Sequence, residues 1–222
     1  NSIRTYMEQE NCTIPKKIHQ IWIGHQEIPE HCAAFGRDMQ EMHPDWEYNL
    51  WTHDKIFNDL YKDDPFLQNY VKDPDLYKWA FMADRIRLLL LRDFGGIYCD
   101  LDAKPIRPFD IIVDNLNKDI TFFAGMKPSQ NNNTLIDCTV YGSAPNSRII
   151  QECLDVYTRV TWAHGCKTFN DKIIEKMDSD CAIFGYEYFY NWQINDKTIV
   201  LHDVEETRLF SWVDNERLFK GW

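Results

Sequence analysis

The sequence predicts an α/β fold with a mainly parallel sheet flanked by helices. Two observations carry this expectation. Short β-branched runs alternate with helical segments over most of the 222 residues, the pattern of strand–helix units that lay strands side by side. No internal repeat and no convincing linker interrupts the alternation, so residues 1–222 read as one domain with a polar lead-in over 1–13.

The elements follow in order. Ile18-His19-Gln20-Ile21-Trp22-Ile23, closed by Gly24, reads as a buried strand. Pro29 opens a helix to about Met42, which His43-Pro44 ends. Glu47 to Trp51 is a second strand, and Asp54 is the expected N-cap of a short helix to Lys62. The clearest helix runs from Leu76 to Phe94, where Ala80, Ala83, Ile86, Leu90 and Phe94 recur at helical spacing before Gly95-Gly96 stops it. Ile97-Tyr98-Cys99 is a short strand leading into Asp100-Leu101-Asp102. Strands are expected over Lys118–Gly125 and Ile136–Tyr141, with a loop over Pro128–Thr134 between them. Ser147 is expected to cap a helix to Trp162, a further helix covers Thr168–Met177, and Thr198–His202 is strand-like.

Composition narrows the function classes. A net charge of −11 argues against a nucleic-acid partner, because such binding relies on Lys and Arg against phosphate. An acidic protein that takes a phosphate-bearing ligand needs local positive charge, and a divalent metal supplies it. The seven cysteines include no C-x-x-C. They read as scattered reduced thiols, which favours a reducing compartment of bacterial or viral cytoplasmic type. Two N-glycosylation tripeptides, at Asn11 and Asn132, point instead toward a trimmed Golgi lumenal domain. No apolar run is long enough to span a bilayer.

The chemistry concentrates around the main helix and the strand after it. Asp84 and Arg87 lie three apart on the helix and share a face amid apolar neighbours, whereas Arg85 reads as an exposed position. In an extended backbone Asp100 and Asp102 point the same way while Leu101 anchors the other side. They end a strand, at the sheet edge where open α/β folds bind ligands. Two carboxylates placed together repel unless a cation joins them, and oxygen ligands suit Mn²⁺ or Mg²⁺. A lone D-x-D is also the ordinary composition of a polar turn, so its context decides.

That context resembles a known family. Ala83-Asp84-Arg85-Ile86-Arg87, then Phe94-Gly95-Gly96-Ile97-Tyr98-Cys99-Asp100-Leu101-Asp102, is similar to the A-D-x-x-R … G-G-x-Y-x-D-x-D core of the sugar-binding-region glycosyltransferases, relatives of the yeast α-1,6-mannosyltransferases (glycosyltransferase family 32) and more distantly of the glucosylating clostridial toxins. The opening Ile14-Pro15-Lys16-Lys17-Ile18-His19-Gln20-Ile21-Trp22-Ile23-Gly24, and His43-Pro44-Asp45-Trp46 with Leu50-Trp51, match that family's first two strands. The resemblance covers residues 14–110 well and the remainder loosely.

It implies a GT-A fold, a nucleotide-diphosphate sugar donor (UDP-hexose ahead of GDP-mannose), a Mn²⁺ or Mg²⁺ ion, retention at the anomeric carbon, and a glycan, protein or lipid hydroxyl as acceptor. Carried over, Trp22, flanked by Ile21 and Ile23, stacks on the base. Asp84 and Arg87 bind sugar hydroxyls, Asp100 and Leu101 line the donor site, and Asp102 ligates the metal beside Asp100. In the divergent C-terminal half Asp137 is the one candidate to face the sugar, His202 the candidate third metal ligand, and Ser211-Trp212 the candidate late donor contacts. Three rivals stay open: a nucleotide-sugar or glycan binding module without turnover, a metal-dependent phosphohydrolase, and a metal-free glycoside hydrolase with paired acids.

Overall fold

In the computed structural model, residues 13–72, 77–127, 135–157, 166–190 and 193–202 are described. Strands β1 (Lys17–Trp22), β2 (Glu47–Thr52), β3 (Gly96–Cys99), β5 (Phe122–Lys127), β6 (Leu135–Ser143) and β7 (Cys181–Phe184) form one sheet in the order β2-β1-β3-β6-β5-β7. Strand β6 runs antiparallel to both neighbours and the other pairings are parallel, so five of the six strands point the same way. A second ribbon pairs β4 (Lys104–Pro105) with β8 (Val200–Leu201).

Helices cover both faces. Helices α3 (Tyr77–Phe94), α5 (Arg148–Val156) and α6 (Cys166–Lys176) bury Leu88–Leu91, Ile150 and Phe169 with Tyr98, Phe122 and Tyr141 of the sheet. Helices α1 (Glu30–Met42), α4 (Asp110–Val113) and α7 (Tyr186–Phe189) pack Met39, Ile112 and Phe189 against Ile97, Cys99, Phe123 and Val140. Neighbouring residues of β3 thus enter opposite cores, as the two-residue period of a strand requires. The arrangement is the α/β sandwich with a mostly parallel sheet that the sequence predicts.

Several local expectations are corrected. Asp54 caps nothing; its Oδ1 accepts from Asn58 Nδ2, and a short π-helical turn over Lys55–Leu60 follows it. The capping aspartate is Asp64, whose side chain accepts from Leu67 N at the start of α2 (Pro65–Val71), with Pro65 in the first helical turn. Ser147 has the extended backbone of an N-cap, but its hydroxyl pairs with Ser143 Oγ rather than a helix amide. Arg85 is half-buried, its guanidinium over the Phe66 ring at 4.4 Å. The strand expected from Lys118 starts at Phe122, and β7, α2, α4 and α7 were not legible as elements. The expected loop over 128–134 and the asparagines of both glycosylation tripeptides lie outside the described residues.

The cysteines divide. Cys32, Cys99 and Cys153 are buried free thiols as expected, and Cys181 is free and partly exposed. Cys138 is disulfide-bonded, which overturns the reading of every cysteine as reduced and with it the argument for a reducing compartment. No described helix is long and apolar enough to cross a membrane.

Candidate active site

The site starts where α3 turns into β3. Gly95 (φ 62°) donates its amide to Leu91 O, the αL cap that ends a helix. Gly96 has φ 107°, and a Cβ there would lie 2.6 Å from Lys17 O on β1. Two glycines are therefore required to reverse the chain against β1. His19 holds the same corner. Its Nε2 donates to Gly95 O at 2.8 Å and its Nδ1 accepts from Trp51 Nε1 at 3.1 Å, a pair of contacts that only the neutral ring can make. Burial lowers its pKa.

The corner aligns α3 over β3, so Asp84 and Arg87 descend onto the end of the strand. Arg87 Nη2 pairs with Asp84 Oδ1 at 2.8 Å, and Nη1 reaches Asp100 Oδ1 at 3.4 Å and donates to Cys138 O. Its guanidinium also lies 4.4 Å over the Tyr98 ring. Burial works against this charge, but Tyr98, Asp100 and Asp84 outweigh it and raise the pKa of Arg87. Arg87 Nε is buried with no hydrogen-bond partner among the described residues, leaving one donor uncommitted. Tyr98 Oη donates to Asp100 Oδ1 at 2.6 Å, so two neighbours orient one oxygen of that carboxylate.

Asp100, Leu101 and Asp102 do not continue the strand as the sequence suggested. Ala103 N donates to Asp100 O at 3.2 Å and closes a turn, a position that suits Asp as the first residue. Leu101 is buried at the turn, as its anchoring role requires, so its side chain does not line the donor site as the resemblance implied. The carboxylates still converge, because the β4–β8 ribbon begins directly after the turn and its antiparallel register returns His202 beside Asp102. His202 Nε2 lies 3.8 Å from Asp102 Oδ1, and one ligand atom each from Asp100, Asp102 and His202 falls within 4.8 Å of the others. Two carboxylates and an imidazole suit a divalent cation of the Mn²⁺ or Mg²⁺ class. Desolvation, reinforced by the Asp100 charge, pushes the Asp102 carboxyl up to about 6. A cation removes that penalty, so the donor set fits the metal expected here.

Strand β6 borders the cluster. Its pairing with β5 jumps between Ala124–Tyr141 and Gly125–Asp137, so residues 138–140 bulge out of register. The bulge presents Cys138 O to Arg87 and Thr139 O to Asp100 N. Asp137 is buried, its Oδ2 accepts from Thr139 N, and burial raises its pKa against the opposing charge of His202. It stands near the cluster, although its position was uncertain from sequence. Trp22 sits at the same sheet edge, partly exposed, with its indole N–H on Gln26 O at 2.9 Å; Ile21 is buried and Ile23 partly so. Ser211 and Trp212 lie outside the described residues.

Sequence reasoning assigned no role to Tyr98 or Gln20. The signal for both was a polar group inside an apolar strand, which must find a partner when buried.

The similarity to known proteins covers the segment from Asp84 to Asp102. Residues 29–123 match the family model described as a glycosyltransferase sugar-binding region containing the DXD motif. The chain is 38% identical over 103 residues to inositol phosphoceramide mannosyltransferase 3 of Schizosaccharomyces pombe, covering 46% of this chain and 28% of that protein. It is 28% identical over 227 residues to an uncharacterised glycosyltransferase of Acanthamoeba polyphaga mimivirus, covering 93% of this chain and 87% of that one. The chain thus spans little more than a quarter of the yeast relative but most of the viral one. Among solved structures, the PaToxG glycosyltransferase superposes with a TM-score of 0.57 at 22% identity, over 74% of this chain and 70% of that one, a likeness of fold. The stretch in which Asp84 and Arg87 run into the Asp100–Asp102 turn is therefore similar to the glycosyltransferase sugar-binding region containing the DXD motif, and the α/β fold around it is of GT-A type.

Proposed function

We propose that the chain is a metal-dependent glycosyltransferase that moves a hexose from a nucleotide-diphosphate sugar to an acceptor hydroxyl with retention. The observation that carries this is the joining of Asp84, Arg87 and Asp100 into one ion-paired group beside the Asp100–Asp102–His202 cluster. Asp100, Asp102 and His202 would hold Mn²⁺ or Mg²⁺. When bound, the ion offsets the charge that develops on the leaving nucleoside diphosphate.

Each residue then has a defined task. Asp84 and Arg87 bind hydroxyls of the donor sugar. Tyr98 and Arg87 hold the Asp100 carboxylate in one orientation, so the sugar is met by a fixed surface. Trp22, at the same strand edge, offers its ring to the base. The acceptor hydroxyl attacks C1 from the leaving-group side, and the departing phosphate oxygen takes its proton. A double displacement needs a carboxylate under C1, for which Asp137 is the candidate, and full activity in Asp137→Asn would remove that route.

The donor panel is headed by UDP-hexoses, on the resemblance to the clostridial toxins, and by GDP-mannose, because a relative over the same segment is a named mannosyltransferase. The test is release of nucleoside diphosphate across that panel, with Mn²⁺ and with EDTA, beside Asp102→Asn. Metal-dependent release from one donor, lost in the variant, supports transfer and names the sugar. Metal-independent release unchanged in Asp102→Asn refutes the site. Donor binding without turnover, with every acceptor class supplied, supports a binding module instead.

A further inference from the structure

We infer that Gln20 is a positioning residue that sets the direction of the Asp100–Asp102 turn through the Asp100 backbone carbonyl. The inference rests on the metal-site reading above. Gln20 lies in β1, fully buried, next to His19 and between the apolar Ile18 and Ile21. A buried primary amide is costly unless its donors and acceptor are engaged, and a Leu would fill the same space without that demand. Both ends of this amide are engaged. Nε2 donates to Asp100 O at 3.3 Å, and Oε1 accepts from Tyr48 Oη on β2 at 2.8 Å. The orientation is unambiguous, because a backbone carbonyl only accepts and so must face the amide nitrogen. The Tyr48 hydroxyl is then left to donate to Oε1.

The contact falls where the turn is decided. Asp100 O is also the acceptor for Ala103 N, the bond that closes the turn, while Asp100 N donates to Thr139 O of β6 at 2.9 Å. The Asp100 peptide is thus held by β6 on one side and by Gln20 of β1 on the other. With those fixed, Leu101 goes into the core and Asp102 goes toward His202. Space for the relay comes from Gly36 of α1. A Cβ there would lie 2.9 Å from Tyr48 Oη, 3.3 Å from Leu101 Cδ1 and 3.7 Å from Gln20 Oε1. Three residues distant in sequence from the acidic turn, Gly36, Tyr48 and Gln20, therefore meet behind it.

Direct Mn²⁺ binding tests this without requiring turnover. Free Mn²⁺ is followed by electron paramagnetic resonance during titration of wild type, Gln20→Leu, Tyr48→Phe and Gly36→Ala, with thermal unfolding measured in EDTA. Loss of an outer-shell partner weakens metal binding by about 10- to 100-fold, the change expected for Gln20→Leu. Tyr48→Phe, which frees the amide to turn but keeps the ring, weakens it by about three- to tenfold. Because Tyr48 is only partly buried, this variant folds even if Gln20→Leu does not. Variants that melt earlier in EDTA yet bind Mn²⁺ with the wild-type constant make Gln20 merely a packing residue and overturn the inference. A wild type that binds no Mn²⁺ overturns it together with the metal site. A wild type that binds while the variants do not differ overturns the inference alone.

Discussion

Arg87→Met isolates the central ion pair. Methionine keeps most of the volume of the Arg stem and removes the guanidinium. The pair it breaks is buried: the side chains of Arg87 and Asp84 are 6% and 9% exposed. Removing one partner takes the Arg87 counter-charge away from the buried Asp84 carboxylate, which costs about 3–5 kcal/mol. The carbonyl of Cys138 also loses a donor, and Asp100, at 23% side-chain exposure, loses a weaker contact that water partly replaces. For a domain of this size that corresponds to a fall of roughly 6–20 °C in Tm. Urea unfolding followed by tryptophan fluorescence reads the change as a shift of midpoint at constant m. Pairing Arg87→Met with Asp84→Leu removes the remaining buried charge and should recover more than half of the loss. A single variant within about 1 kcal/mol of wild type, or a double variant as unstable as the sum of the singles, would show that the pair is not the buried, coupled unit described.

The remaining predictions concern the corner, pH and metal. Gly96→Ala meets Lys17 O at 2.6 Å and holds alanine at φ 107°, so a loss of about 2 kcal/mol or more is expected in thermal unfolding; a neutral result would mean that the corner relaxes freely. His19 and His43 both have lowered pKa values, chiefly from burial. His43 accepts from Phe109 N and donates to Met39 O, so it too is held neutral. The unfolded rings take up protons below about 6.5 while the folded ones resist, so the unfolded state binds more protons and stability falls with pH below that value. A urea midpoint that stays flat on acidification through that window, or imidazole NMR signals that titrate normally, would contradict this. Asp102→Asn should abolish metal-dependent thermal stabilisation of the protein; stabilisation by Mn²⁺ equal to that of wild type would place the ion elsewhere.

Much of the site was legible because its parts are local. Asp84 and Arg87 share a helix face by spacing alone, and the paired glycines announce a reversal that must bring the helix against the next strand. Trp22 and Asp100 fall at one edge because β1 and β3 run parallel. The failures were contacts between distant segments. The direction of β6 and its bulge at 138–140 place Asp137 and the Cys138 carbonyl, and neither could be read from a run of alternating residues. The disulfide at Cys138 was missed because seven scattered cysteines carry no pairing signal of their own.

The amino-acid sequence by itself determined the α/β class, the main helix, and the identity of the acidic turn, since periodicity, glycine stops and motif spacing all act over a few residues. Tertiary structure alone decided that the turn is a turn rather than an extended strand, that His202 closes the cluster 100 residues beyond Asp102, and that Gln20 supports it from behind. Those facts depend on which strands become neighbours, and strand neighbours are set by the packing of the whole sheet and its two cores rather than by any segment within it.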